Sequence, residues 1–204
     1  MAGRLIYLMG PSGAGKDTVL QGLSSLLGSQ GYLAPRLVTR ASTPTEPASV
    51  SVTLAEFEYM ESCGRLAMAW RANGLAYGVL RDINDRLVAG CDVLVNGSRA
   101  YLPQAQLRYA DLVPVLLNVE PRLLRQRLLD RARENDAQIQ ARLRRNAQFM
   151  HLEAAGDGGP MLVVDNSTDV DSTIQALYAR LKQTPAHANA SRLARLDGRS
   201  SACG

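Results

Sequence analysis

Lysine is nearly missing from this 204-residue chain: of its 23 basic residues, only Lys16 and Lys182 are lysine. Where lysine is that rare, each one is worth locating. Cysteine is almost as scarce, and Cys63, Cys91 and Cys203 lie far apart. An odd number without metal-ligand spacing argues against a disulfide framework and a zinc site, and fits reduced thiols in the cytoplasm. Aromatic residues make up 5% of the chain and do not interleave with basic ones. That argues against a stacking surface for nucleic acid. No apolar run approaches the roughly 20 residues of a membrane span.

What is present is a hydrophobic content of 46%, enough for one α/β domain with a core, and a net charge of +4. The charge is not spread evenly. The segment 122–145 carries eight arginines against Asp130, Glu134 and Asp136, which leaves the rest of the chain close to balance. A concentrated arginine cluster suits a polyanionic ligand.

Lys16 sits in the stretch Gly10-Pro11-Ser12-Gly13-Ala14-Gly15-Lys16-Asp17-Thr18. The apolar run Leu5–Met9 precedes it and the helical pattern Val19, Leu20, Leu23, Leu26, Leu27 follows. Strand, glycine-rich turn and helix are the context in which this motif becomes a phosphate-binding loop. Its glycines let backbone N–H groups converge on a polyphosphate at a helix N-terminus. Lys16 then reaches the β- and γ-phosphates as a point charge. Asp17 is irregular, standing where Ser or Thr usually touches magnesium.

Periodicity gives an alternating strand–helix order, so the expected fold is α/β: a parallel five-stranded sheet with helices on both faces. Its expected strands are 5–9, 36–39, 92–96, 113–119 and 161–164. Between 40 and 82 the pattern changes. The stretch 45–52 reads as loop, Thr53-Leu54-Ala55-Glu56 as a capping box, and Asn73-Gly74 as a hairpin turn. This insertion is expected to be a small substrate-binding subdomain within a kinase domain over 1–184, and 185–204 a flexible tail.

Phosphoryl transfer needs charge neutralised on the moving group and two oxygens held in line. The polar break around Arg131 and Arg133 lies between two helical stretches, with Arg142 and Arg145 on the second. It is expected to act as a lid over 131–140 that closes guanidiniums on the transferred group. Arg40 follows the second strand directly and Tyr77 lies across the hairpin from Trp70; both are candidates for an acceptor phosphate. Asn96, Ser98 and Arg99 leave a strand at its carboxyl end, where open α/β sheets bind ligands.

From residue 4 to about 182 the order of these motifs resembles the guanylate kinase superfamily. More narrowly, Gly-Lys-Asp-Thr in the loop, 70–75, 92–100 and Leu124-Arg125-Gln126-Arg127-Leu128 resemble the ribose 1,5-bisphosphate phosphokinases of bacterial phosphonate breakdown. The Asn-Gly-Ser-Arg-Ala-Tyr-Leu-Pro stretch 96–103 is the most specific. The resemblance implies ATP and Mg²⁺, with Asp17 and Thr18 near the metal and Arg127 at the nucleotide. It also implies a phosphorylated sugar as acceptor; a homodimer is compatible with it. Guanylate kinases carry a second phosphate-binding arginine shortly after the first, and Ala41–Val52 has none. Their hairpin carries a glutamate for guanine where this chain has Trp70, and a strand-end carboxylate where it has Ser98. From the narrower family the chain departs at Pro47-Ala48-Ser49, where Glu-Asn-His is expected. A guanylate or other nucleoside-monophosphate kinase is the alternative reading. A noncatalytic interaction module is disfavoured by the intact Gly15-Lys16.

Overall fold

The structure, a computed structural model, describes residues 3–41, 48–109, 111–130, 136–148 and 161–184. The first strand, β1 (Leu5–Met9), is apolar throughout and buried on both faces, as expected of a central parallel strand. Its alternation divides the core in two. Ile6 and Leu8 join a cluster with Val19, Leu20 and Leu23 of α1 (Lys16–Leu27). Leu5, Tyr7 and Met9 join the opposite cluster, with Ile83 and Leu87 of α3 (Ile83–Val88). Full burial of an aliphatic side chain of this size contributes roughly 1.5–3 kcal/mol.

The main sheet runs β2 (Gly31–Leu33), β7 (Asp92–Asn96), β1, β8 (Val113–Asn118), β9 (Leu162–Asp165), all parallel. Helices cover both faces. One carries α1 with α5 (Pro121–Asp130) and α7 (Val170–Gln183); the other carries α3 with α4 (Leu102–Arg108). Gly22 lets α1 and α7 approach closely, since a Cβ there would lie 2.3 Å from Ile174 Cδ1. Arg4 ties the sheet to the end of α7. Its side chain pairs with Asp92 and donates to the Leu181 and Thr184 carbonyls.

A second sheet has the order β4 (Ser49–Ser51), β3 (Arg36–Val38), β6 (Leu75–Leu80), β5 (Leu66–Ala72). It corrects the expected strand assignment. The strand near 36–39 belongs here and not to the main sheet, whose edge is the three-residue β2. The stretch read as loop contains β4. Strands of three residues are too short to show a period of two. The capping box forms as expected at α2 (Leu54–Ser62): Thr53 Oγ1 accepts from Glu56 N–H, and the Glu56 carboxylate accepts from Thr53 N–H at 2.7 Å. Asn73 and Gly74, at φ 54° and 74°, make the two-residue turn between β5 and β6. Among the described residues no helix is long and apolar enough to cross a membrane.

Candidate active site

The loop after β1 turns sharply into α1. Gly13 and Gly15 hold φ of 93° and 85°, values that a side chain would strain. Packing holds the loop as tightly as its own torsions do. A Cβ on Gly13 would press on Leu124 and Leu128 of α5 at 3.1 Å, and Asn166 donates to the Ala14 carbonyl at 2.8 Å. Lys16 Nζ donates to the carbonyls of Gly10 and Pro11, at 3.0 and 2.9 Å, so its charge lies over the loop.

β7 ends beside this loop. Asn96 Nδ2 donates to Asp17 Oδ1 at 2.7 Å, which orients the carboxylate from the strand end. Beyond Asn96 the chain runs over Tyr7. A Cβ on Gly97 would lie 2.1 Å from Tyr7 Cζ, so only glycine fits against the ring. The Tyr7 hydroxyl donates to the Ser98 carbonyl at 3.0 Å and accepts from the Ser98 N–H at 2.8 Å. Burial pushes this phenol far above its ordinary pKa, so it stays a neutral donor. Arg99 follows and donates to Asn146 Oδ1 at 2.6 Å, on α6 (Asp136–Gln148). Burial pushes its guanidinium down to about 10, still charged at neutral pH.

The second sheet supplies the far wall. Trp70 stacks on Tyr77 and on Tyr101, with ring centroids 5.6 Å apart in both pairs. Loop, strand end, α6 and this wall enclose a cavity of about 740 Å³. Lys16, Arg36, Arg40, Arg99 and Arg142 line it, against a single carboxylate among the described lining residues, Asp17. A concave wall of one sign concentrates an oppositely charged ligand.

Most of the sequence-picked residues meet here. Gly10, Pro11, Ser12, Gly13, Gly15, Lys16 and Asp17 line the cavity from the loop. Arg40, Tyr77, Asn96, Ser98, Arg99 and Arg142 line the rest. Ala14 is buried beneath the loop, and the exposed Thr18 and half-buried Arg127 do not line the cavity. Arg131, Arg133 and the tail lie outside the described residues, as does the side chain of Arg145. Three residues escape sequence reasoning. Asn146 lies four positions beyond Arg142, on the same helical face. Arg36 opens the strand after which Arg40 follows, and both line the cavity. Tyr7 carried no signal, because it shares a strand face with Leu5 and Met9 like any core residue.

Among proteins of known activity, the chain is 50% identical over 182 residues to the ribose 1,5-bisphosphate phosphokinase PhnN of Pseudomonas paraeruginosa (strain DSM 24068 / PA7), covering 89% of this chain and 96% of the relative. It is 47% identical to the enzyme of the same name from Pseudomonas fluorescens (strain SBW25), with the same coverage. The chain belongs to the ribose 1,5-bisphosphate phosphokinase family. It is therefore a phosphotransferase. No family model matches the chain. In fold it is similar to guanylate kinase from Anaplasma phagocytophilum, at a TM-score of 0.68 and 21% identity over 89% of this chain and 86% of that one. It is more distantly similar to a gluconokinase from Sinorhizobium meliloti 1021, at a TM-score of 0.50 and 17% identity over 88% and 94% of the two chains.

Proposed function

We propose that this kinase transfers the γ-phosphoryl group of ATP to the 1-phosphate of ribose 1,5-bisphosphate, yielding 5-phosphoribosyl 1-diphosphate and ADP in the cytoplasmic breakdown of phosphonates. The observation that carries the reading is the charge of the cavity: among the described lining residues, five cations and one carboxylate, and that carboxylate on the phosphate loop. An alcohol nucleophile calls for a general base, and the strand end that faces the cavity carries Ser98. A sugar phosphate, with its second pKa near about 6, is already an oxyanion at neutral pH. Its oxygen attacks the γ-phosphorus, the bond to the β–γ bridging oxygen breaks, and ADP leaves with that electron pair. No proton has to move.

Lys16 and the loop amides hold the β- and γ-phosphates. Arg142, with Arg131 and Arg133, closes on the transferred group as charge spreads over its equatorial oxygens. Arg40, Tyr77, Asn96, Ser98 and Arg99 hold the acceptor. Trp70 weighs against guanine: its indole N–H is a donor only and cannot receive the ring N–H and amino group of the base.

The donor set fits a hard cation that arrives with ATP. Among the described residues no group of three or more His, Cys, Asp or Glu side chains could hold a metal unaided. Mg²⁺ instead keeps several waters and binds through one or two carboxylates plus substrate phosphates. Asp17, oriented by Asn96, is the carboxylate that would hold it, with Thr18 adjacent in sequence. When bound, Mg²⁺ neutralises phosphate charge.

The test is a panel of acceptors with ATP, scored by ADP release: ribose 1,5-bisphosphate, GMP and gluconate. The bisphosphate is expected to give the highest kcat/KM, and preferential turnover of GMP or gluconate would overturn the reading. Lys16→Ala is expected to remove most turnover without lowering Tm.

A further inference from the structure

Arg36 is the cavity arginine to which nothing above gives a task. It opens β3, and Arg40 lies in the bend that follows that strand. Both line the 740 Å³ cavity. Arg36 alone of the two also lines a small neighbouring void walled by Asp17, Leu20, Ser49 and Asn96. It is therefore the arginine on the phosphate-loop side, and Arg40 the one farther from it.

The head of Arg36 is held in place. Its Cζ lies 5.6 Å from the centroid of the Tyr77 ring, and Nη2 donates to Ser49 Oγ at 3.2 Å. A planar guanidinium fixed by a ring and a hydroxyl is arranged to meet a phosphate with two parallel N–H groups. The sequence leaves room for such a role, because no arginine occurs between Ala41 and Val52 to serve beside Arg40. The tether to Ser49 also falls within the stretch where this chain departs from the expected Glu-Asn-His.

We infer that Arg36 binds the acceptor phosphate nearer the loop, the 1-phosphate, while Arg40 binds the 5-phosphate, so that the pair selects a bisphosphorylated sugar over a monophosphorylated one. This rests on the reaction proposed above. It makes β3 and the bend after it a two-point gauge, with one cation at the reacting phosphate and one at the anchoring phosphate. The nucleophilic phosphate then meets positive charge on the acceptor side before Lys16 and Arg142 engage the γ-phosphate.

The experiment is calorimetric binding of ribose 1,5-bisphosphate and of ribose 5-phosphate, without ATP, to the full chain and to Arg36→Gln, Arg36→Lys and Arg40→Gln. Loss of a charged, hydrogen-bonded contact to phosphate is expected to weaken bisphosphate binding by about 10- to 100-fold in Arg36→Gln. Ribose 5-phosphate binding should change little, so the preference between the two collapses. Arg40→Gln should weaken both ligands alike, and Arg36→Lys should restore part of the preference. In turnover, the KM for acceptor should rise in Arg36→Gln while that for ATP holds. Ser49→Ala, which removes only the tether, should lower the preference severalfold with Tm retained. Unchanged preference in Arg36→Gln, or equal weakening of both ligands with a lowered Tm, would overturn the inference. A native chain that neither binds nor phosphorylates the bisphosphate would instead overturn the parent reaction, an outcome visible before any variant is made.

Discussion

Tyr7 does its work at a distance from the ligand. It is fully buried in the central strand and does not line the cavity, yet its hydroxyl takes both backbone groups of Ser98 and its ring packs beneath Gly97. Replacing it with phenylalanine keeps the ring and removes both hydrogen bonds. The half-buried Ser98 N–H loses its partner while the Ser98 carbonyl keeps the Tyr101 N–H, so the cost is about 1 kcal/mol. Tyr7→Phe is therefore expected to lower the stability measured by urea unfolding, and to raise the KM for acceptor with ATP binding unchanged. An unaltered acceptor KM would deny Tyr7 its positioning role. Asp17 was legible as an irregular residue in a regular loop, but its link to Asn96 was not. A contact across 79 positions leaves no periodic trace. Asp17→Ser is expected to shift the Mg²⁺ dependence of turnover in a metal titration, and an unmoved curve would remove it from the metal.

At the scale of elements, the local signals with a stereochemical cause were the ones that could be read. Thr53 and Glu56 cap α2, and Asn73-Gly74 turns the hairpin, because side-chain oxygens and positive φ satisfy local geometry without tertiary help. β2 and β4 left no such signal. Each has three residues and exists because a neighbour offers a ladder, Asp92–Leu94 for one and Arg36–Val38 for the other. Arg36 was hidden for a different reason: in a strand of the main sheet its first residue would lie at the end away from the ligand, and the second sheet instead turns it to the cavity. Thr53→Ala is expected to cost about 1 kcal/mol in chemical unfolding at neutral pH. The Thr53 N–H, and after it the Thr53 hydroxyl, hold the Glu56 carboxyl below its ordinary pKa, and alanine keeps the first and loses the second. The hydroxyl's contribution is complete above the unfolded pKa and is lost as pH falls through the folded one, so the deficit of the variant should narrow in acid.

For the whole molecule, the parallel sheet brings three distant stretches of chain to one opening. They are the loop after β1, the end of β7 and, from the second sheet, the wall carrying Arg36, Arg40 and Tyr77. The likeness to guanylate kinase lies in this framework, and the distinction lies in what lines it. In the proposed function Ser98 supplies no general base for an alcohol and Trp70 no acceptor for guanine, so the cavity takes a phosphorylated sugar. The direct test is phosphorus NMR of the product formed from ATP and ribose 1,5-bisphosphate. A new diphosphate pair on the sugar is expected as the 1-phosphate signal disappears, with the 5-phosphate signal unmoved. A new phosphate monoester, or an unchanged bisphosphate in a sample that converts GMP to GDP, would contradict it.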